Sequence, residues 1–598
     1  MRLRPTLSCI VILIALPVSN FSTPWFLMTN QPPQEQSQFE RLLAEEWEYE
    51  LRESPETATS IGDYRYNDRW SDPSLEHVEQ QKKDLAEWLA RFEQLKTAGF
   101  SEQEKLSSAL MIRSLKERLE GIRLKTYEMP IDQFNGLHLE MAQLLAIVPF
   151  DSTKHYDDYL ARLHRLPTVF NQVIEVLKQG EKDGLMPPRY LLEKTVTQCR
   201  DLAGPEAEAN PFGQPVTHFP ETVGEVDRSR LRQAILEAVE HEIRPAYRKL
   251  GSFLEDEYAP RGRTQPGVWA LPGGEALYRY DIRVLTTTTM EPEEIHRLGL
   301  EEVARIEAEQ RAIAKRLGFD NLQGFRASLK TNPHLFATSP EQLVDRYRSY
   351  VNQMKPELAK LFTLFPKAPL EVRPTQEFRA KEAAAADYSS GTPDGSRPGI
   401  VYVNTYDYAH RSLLTAESTS YHEGIPGHHM QISIAQTLPE LPAFRRYSQL
   451  SAYVEGWALY AERLGKDIGF YQDPYSDYGR LSDEMLRAIR LVVDTGVHYE
   501  HWTRQQMVDF FHQHSSEDES DLQAETDRYI VWPAQALGYK LGQLEILKLR
   551  DRAQQELGTK YDIRTFHDEV LNGGALPLDV LDERVGGWIE RQKRTPGQ

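Results

Sequence analysis

The chain has 598 residues, with 70 Lys or Arg against 90 Asp or Glu and a net charge of −20. That balance, without a basic run, excludes a nucleic-acid partner held by a cationic footprint. With 40% hydrophobic residues there is ample material for a large core, and the length suits one two-lobed unit as well as several domains.

At the N-terminus, Arg2 and Arg4 precede an apolar stretch from Leu7 to Val18 that Ser19 and Asn20 break. This is the order of a secretory signal peptide over residues 1–20, followed by a linker over 21–34. The stretch is shorter than the roughly 20 residues a bilayer span requires. An uncleaved anchor running on through Trp25-Phe26-Leu27-Met28 is the alternative and the one membrane contact expected. Cys9 sits near the start of the apolar stretch rather than after it, which argues against a lipoprotein site. Loss of the leader leaves Cys199 without an intramolecular disulfide partner. The implied destination is the bacterial periplasm or another extracytoplasmic space.

Helical periodicity dominates the rest of the chain. Phe39 to Arg52, Val78 to Lys96 and Glu102 to Arg123 place apolar residues three and four apart among charges. Gly204 to Thr222, rich in Pro and Gly, reads as a hinge between an N-terminal helical lobe, to about residue 260, and a catalytic half over 261–598. Pro292 with Glu293 and Glu294 opens a helix that continues to about Leu317. A second loop-like stretch, Tyr388 to Pro398, leads into Ile400-Val401-Tyr402-Val403-Asn404-Thr405, one of the few strand signals.

The chemistry concentrates in Tyr421-His422-Glu423-Gly424-Ile425-Pro426-Gly427-His428-His429, with a further carboxylate at Glu455. A catalytic zinc takes three protein ligands of the His/His/Glu kind, an open position for water and a nearby carboxylate as base. The spacing departs from H-E-x-x-H, in which two histidines four apart share a helix face. His428, six residues after His422, would sit about 240° away on an unbroken helix; His429, seven after, would share the face but lie about 10 Å along the axis. Pro426 removes a backbone donor and Gly424 and Gly427 permit unusual angles, so the helix should open here. Without Ile425 and Pro426 the segment reads His422-Glu423-Gly424-Gly427-His428, an H-E-x-x-H carrying a two-residue insertion.

Three segments resemble the bacterial domain-of-unknown-function 885 family: His422 to His429, Val454-Glu455-Gly456-Trp457-Ala458-Leu459-Tyr460-Ala461-Glu462, and Gln535-Ala536-Leu537-Gly538-Tyr539-Lys540-Leu541-Gly542-Gln543-Leu544. Pro292 to Leu300 and Pro398 to Thr405 extend the likeness from about residue 35 to the C-terminus. That family in turn resembles the helical carboxypeptidase Taq, thimet oligopeptidase and angiotensin-converting enzyme groups. The resemblance implies a mainly α, two-lobed zincin-like fold with a deep cleft and a small β element beside the metal. It also implies one Zn2+ per chain on His422, His428 and Glu455, with Glu423 as general base and His429 as the rival second ligand. Its relatives hold substrate backbone on an edge strand, which assigns Tyr402 and Asn404 to substrate contact.

A ligating histidine usually gives its other ring hydrogen to a carboxylate, a role open to Glu462 and Glu417. Tyr539 and His498 are candidates for stabilising the oxyanion, and Arg490 and Arg528 for gripping a substrate carboxylate. The expected activity is zinc-dependent hydrolysis of amide bonds in short peptides, carboxypeptidase- or oligopeptidase-like, with trimming near the C-terminus if the cleft is a closed-ended channel. The alternatives are a catalytically silent peptide-binding protein and a zinc hydrolase of a non-peptide amide or ester.

Overall fold

The computed structural model describes residues 37–380 and 383–594; the leader and linker readings of residues 1–34 lie outside the described residues. The structure is 69% helical with one three-stranded sheet, so the mainly α expectation holds. Among the described residues no helix is long and apolar enough to cross a membrane.

Capping chemistry sets the first boundaries. α1 (Gln38–Glu53) begins where the Ser37 hydroxyl accepts the Glu40 N–H and the Glu40 carboxylate accepts the Ser37 N–H. α2 (Leu75–Glu93) starts after Ser74, and α3 (Glu102–Arg123) repeats the reciprocal cap with Ser101 and Glu104. Phe39, Leu42, Leu85, Met111 and Leu115 bring the apolar faces of all three into one small core.

A second core lies among α4 (Thr153–Asp183), α5 (Arg189–Ala203), α6 (Glu225–Ala238) and α7 (Arg244–Phe253), where Leu163, Phe170, Leu192, Leu231 and Tyr247 are buried. The hinge expected over Gly204 to Thr222 is corrected here. Phe212 and Val216 of that stretch are buried in this same core, and its backbone is tied to α4. Tyr159 Oη donates to the Phe212 carbonyl at 2.7 Å and Tyr156 Oη to the Pro215 carbonyl at 3.1 Å. Pro and Gly shape a turn that folds back into one lobe, not a boundary between two.

α8 (Pro292–Arg316) starts with Pro at its first position and a Glu291–Glu294 reciprocal cap. α9 (Pro340–Met354) follows, then β1 (Leu370–Pro374), β2 (Ala386–Ser389) and β3 (Gly399–Val403) in the order β1-β3-β2. β1 runs parallel and β2 antiparallel to β3. β3 is therefore paired along both edges and buried throughout, so the expectation that it offers a free edge to substrate is overturned. Tyr402 is opposite Arg373 on one side and Asp387 on the other. Asn404 is wholly buried, its Nδ2 donating to the Ala380 and Ala383 carbonyls at 2.7 and 2.8 Å and its Oδ1 accepting from Tyr406 N. It anchors loops and leaves nothing for a ligand.

Six further helices frame the site: α10 (Ala416–Glu423), α11 (His428–Gln436), α12 (Ser451–Asp467), α13 (Pro474–His498), α14 (Glu519–Val531) and α15 (Leu537–Leu557). α12 and α15 approach so closely that a Cβ on Gly456 would lie 2.5 Å from Gly542 Cα. Lys540 of α15 is fully buried and reaches Glu302 at 2.9 Å, Glu484 at 2.8 Å and Gln543 at 2.7 Å. Arg305 also bonds both carboxylates. Buried charges persist when paired in this way, and the layer fixes α15, with Tyr539 on it, against α8 and α13.

Candidate metal centre

α10 carries His422 and Glu423 in its last turn and α11 opens on His428. The intervening Gly424-Ile425-Pro426-Gly427 is a turn whose Gly427 N–H donates to the Tyr421 carbonyl at 2.9 Å, with His429 N–H on the Gly424 carbonyl at 3.1 Å. The Trp457 indole on α12 donates to the Pro426 carbonyl at 2.9 Å and pins the turn from below. A Cβ on Gly427 would lie 2.0 Å from the His422 carbonyl oxygen and 2.3 Å from that of Tyr421, so the turn admits only glycine there. The two inserted residues are absorbed in this turn, as the composition of the segment predicts. The His422 and His428 rings consequently meet edge to face, centroids 4.8 Å apart and planes at 88°.

Glu455, in the second turn of α12, brings Oε2 to 3.5 Å from His422 Nε2 and 3.3 Å from His428 Nε2. Donor atoms about 2.0–2.2 Å from one tetrahedral zinc stand about 3.3–3.6 Å apart, which is this spacing. Glu455 Oε2 is buried with no well-formed hydrogen bond, facing only the two imidazole nitrogens at 3.3 and 3.5 Å; a buried oxygen left this way is costly, and a cation between the three side chains removes the cost. Two imidazoles and a carboxylate are a donor set that suits zinc, so these residues fit the metal. The Glu423 carboxylate is close as well, with ligand atoms of His422, Glu423 and His428 all within 4.8 Å of one another. Glu455 is the carboxylate that ion-pairs with both imidazoles, and Glu423 lies beside them. Solvent reaches the cluster: 20% of the Glu455 side chain is exposed, against 4% for His422.

His428 and His429 point in different directions. His429 points toward the sheet, its Nδ1 sharing a 3.0 Å hydrogen bond with Tyr388 Oη, and burial pushes it down to about 4. The carboxylate behind His422 is Glu462, whose Oε1 accepts from Nδ1 at 2.8 Å and so presents Nε2 to the cluster. Glu417, the other contender, instead accepts from Tyr421 Oη, Tyr471 N and Ser476 Oγ.

Electrostatics mark the same point. Burial would lower His422, but the adjacent Glu455 and Glu462 carboxylates carry it up to about 10, so without a metal the imidazole itself supplies the cation. Glu455 is held well below the carboxylate range by His428 and His422 against its burial. Glu423 is shifted upward, chiefly by burial with Glu455 and Asp387 adding, the direction that favours proton transfer.

The remaining candidates divide. The Tyr539 ring stacks on His422 with centroids 6.5 Å apart, and the Arg490 guanidinium lies 4.4 Å from the centre of that tyrosine ring. Arg528 Nη2 reaches Tyr539 Oη at 3.4 Å. Tyr539, Arg490 and Arg528 therefore belong to the cluster. His498 does not: its Nδ1 accepts from Val268 N at 3.1 Å and its Nε2 donates to the Tyr529 carbonyl at 2.8 Å. Burial lowers it to about 3, and this neutral, fully bonded ring is a core tie rather than an oxyanion donor. Two neighbours went unread in the sequence. Arg487, one turn before Arg490 on α13, has its guanidinium 5.9 Å from the Tyr539 ring; the three-residue spacing on one helix face was the available signal. Tyr388 stacks on His428 at 6.5 Å from β2, an edge strand hidden in loop-like composition. A cavity of about 820 Å³ lies elsewhere, among Arg113, Glu117, Arg283 and Asp579. Arg113 and Arg283 are ion-paired there with Asp579, Glu117 and Glu120.

Residues 55–585 match a family model described as "Bacterial protein of unknown function (DUF885)". A crystal structure from Colwellia psychrerythraea described as a "putative lipoprotein" is similar, with 28% identity and a TM-score of 0.86 over 93% of this chain and 99% of that one. A "putative lipoprotein of unknown function" from Shewanella oneidensis shares the fold at 17% identity and a TM-score of 0.71, over 92% of this chain and 99% of its own. No curated protein matches the sequence.

Proposed function

The chain belongs to the DUF885 family of bacterial proteins, and we propose that it is a zinc-dependent hydrolase cleaving amide bonds of short peptides. The observation that carries the proposal is the convergence of His422 Nε2, His428 Nε2 and the buried Glu455 Oε2, with Glu423 beside them. His422, His428 and Glu455 would hold the metal, which when bound lowers the pKa of a coordinated water towards about 7 and polarises the scissile carbonyl. Glu462 keeps the His422 ring in the tautomer that presents Nε2. Glu423 accepts the proton of the attacking water and passes it to the leaving amine, and the hydroxyl of Tyr539 stabilises charge developing on the carbonyl oxygen. The free edge beside the site is β2, not β3, so an extended substrate would pair there.

A silent binding protein is what an insertion that splayed the histidines would produce; imidazoles whose Nε2 atoms converge on Glu455 favour the hydrolase. Export is supported by the basic and apolar N-terminal pattern and by the similar structures described as lipoproteins. The test is Glu423→Gln in the zinc-loaded chain. Metal content should be unchanged while hydrolysis of a peptide panel falls at least about 100-fold; a fully active variant would remove Glu423 from the mechanism.

A further inference from the structure

Phe134 projects from a turn of the N-terminal lobe, where Asp132 Oδ1 accepts from Phe134 N and Asn135 N at 2.7 and 2.6 Å. The turn is held against α14 by Gln133 Nε2 donating to the Asp527 carbonyl at 3.2 Å. The phenyl ring is 43% exposed although its own lobe has a core to receive it. It instead meets Trp532, from the far end of α14, at 5.8 Å between centroids and 41° between planes. The Arg528 guanidinium lies against both rings, 5.4 Å from Phe134 and 6.0 Å from Trp532. Two aromatic faces around a partly exposed cation, contributed by separate lobes, form a surface for an apolar group that ends in an anion.

The charge balance points the same way. Arg490 and Arg528 share one carboxylate, Glu525, at 2.8 and 3.2 Å, whereas Arg487 is matched by Asp483. Burial pushes the Glu517 carboxyl up to about 8, so it does not cancel the excess at neutral pH, and Asp521 is exposed to water. Arg490 Nη1 and Arg528 Nε are buried N–H groups without an acceptor. More donors than acceptors remain one tyrosine away from a metal ligand, since Arg528 touches Tyr539 and Tyr539 stacks on His422.

We infer that Phe134, Trp532 and Arg528 form a specificity subsite for the C-terminal residue of a peptide, reading an aromatic or large apolar side chain together with its free carboxylate. The inference rests on the hydrolase reading for its place in a reaction, which becomes removal of residues from the C-terminal end, but not for binding.

Binding is measured by calorimetry on the full zinc-loaded Glu423→Gln chain with N-acetyl-Ala-Ala-Phe, its C-terminal amide and N-acetyl-Ala-Ala-Gly. The amide should bind about 10- to 100-fold more weakly, the loss of a charge-assisted contact, and the glycine peptide about 3- to 10-fold more weakly. Phe134→Ala, on an exposed turn, should abolish the Phe-over-Gly preference and keep the acid-over-amide one; Arg528→Met should do the reverse. Equal binding of acid and amide, or an unchanged Phe-over-Gly ratio in Phe134→Ala, overturns the subsite. Hydrolysis by the unsubstituted chain is scored separately. These preferences without cleavage retain the subsite and discard the hydrolase; cleavage without them does the opposite; neither binding nor cleavage discards both.

Discussion

Gly427→Ala is the most exacting perturbation of the two-helix histidine arrangement. An added Cβ would stand 2.0 Å from the His422 carbonyl oxygen, and protein Cβ contacts under 3.0 Å are essentially unknown, so the two must separate by about 1 Å. The displaced carbonyl belongs to one ligand residue and the new methyl to the residue preceding the other. Metal–ligand distances tolerate only about 0.2 Å, so the shift exceeds the tolerance about fivefold. Disturbing even the residues behind a ligand costs about 10- to 100-fold in metal affinity, and moving both ligands should cost at least the upper value. Overpacking one methyl costs about 1–3 kcal/mol of stability, which leaves the chain folded. Zinc affinity is read by competition against a chelator, with circular dichroism and thermal unfolding as the fold check. Gly224→Ala is the control, because nothing lies within 4 Å of its added Cβ. A Gly427→Ala chain that holds zinc as tightly as the parent would refute the role of this turn.

Glu462→Gln keeps an acceptor for His422 Nδ1 at the 2.8 Å position but removes its charge; zinc affinity should fall about tenfold, and an unchanged chelator competition would count against the assignment. Lys540→Met should destabilise the fold by about 3 kcal/mol, the low end for breaking a buried ion pair. Arg305 still bridges Glu302 and Glu484 in that variant. An unfolding midpoint equal to the parent's would show that the buried layer contributes nothing.

Helix existence was legible because it depends on local patterning. Glu102 to Arg123 is the helix the periodicity gives, and Pro292 opens one that stops at Arg316, one residue short of the expected end. Strand order was not legible, because it is set by pairing between segments far apart. Ile400 to Val403 read correctly as a strand, but its place between Leu370–Pro374 and Ala386–Ser389 follows from partners whose own composition is weak. At the site, Gly424, Pro426 and Gly427 announced the break in the helix, while the turning of His429 toward the sheet depended on Tyr388. His498 misled because a histidine near glycine looks available in sequence; only the packing of Val268 and Tyr529 against it reveals that both nitrogens are engaged. Phe134 gave no signal at all, since its partners Trp532 and Arg528 lie about 400 residues away in the chain.

The most direct measurement is zinc content, by elemental analysis of the purified chain and of its His428→Ala and His429→Ala variants after zinc loading and dialysis. The predicted result is about one zinc per chain in the parent and in His429→Ala, with little retained by His428→Ala. A parent chain that holds no zinc under these conditions, or a loss confined to His429→Ala, would contradict the assignment of His422, His428 and Glu455 as the metal centre.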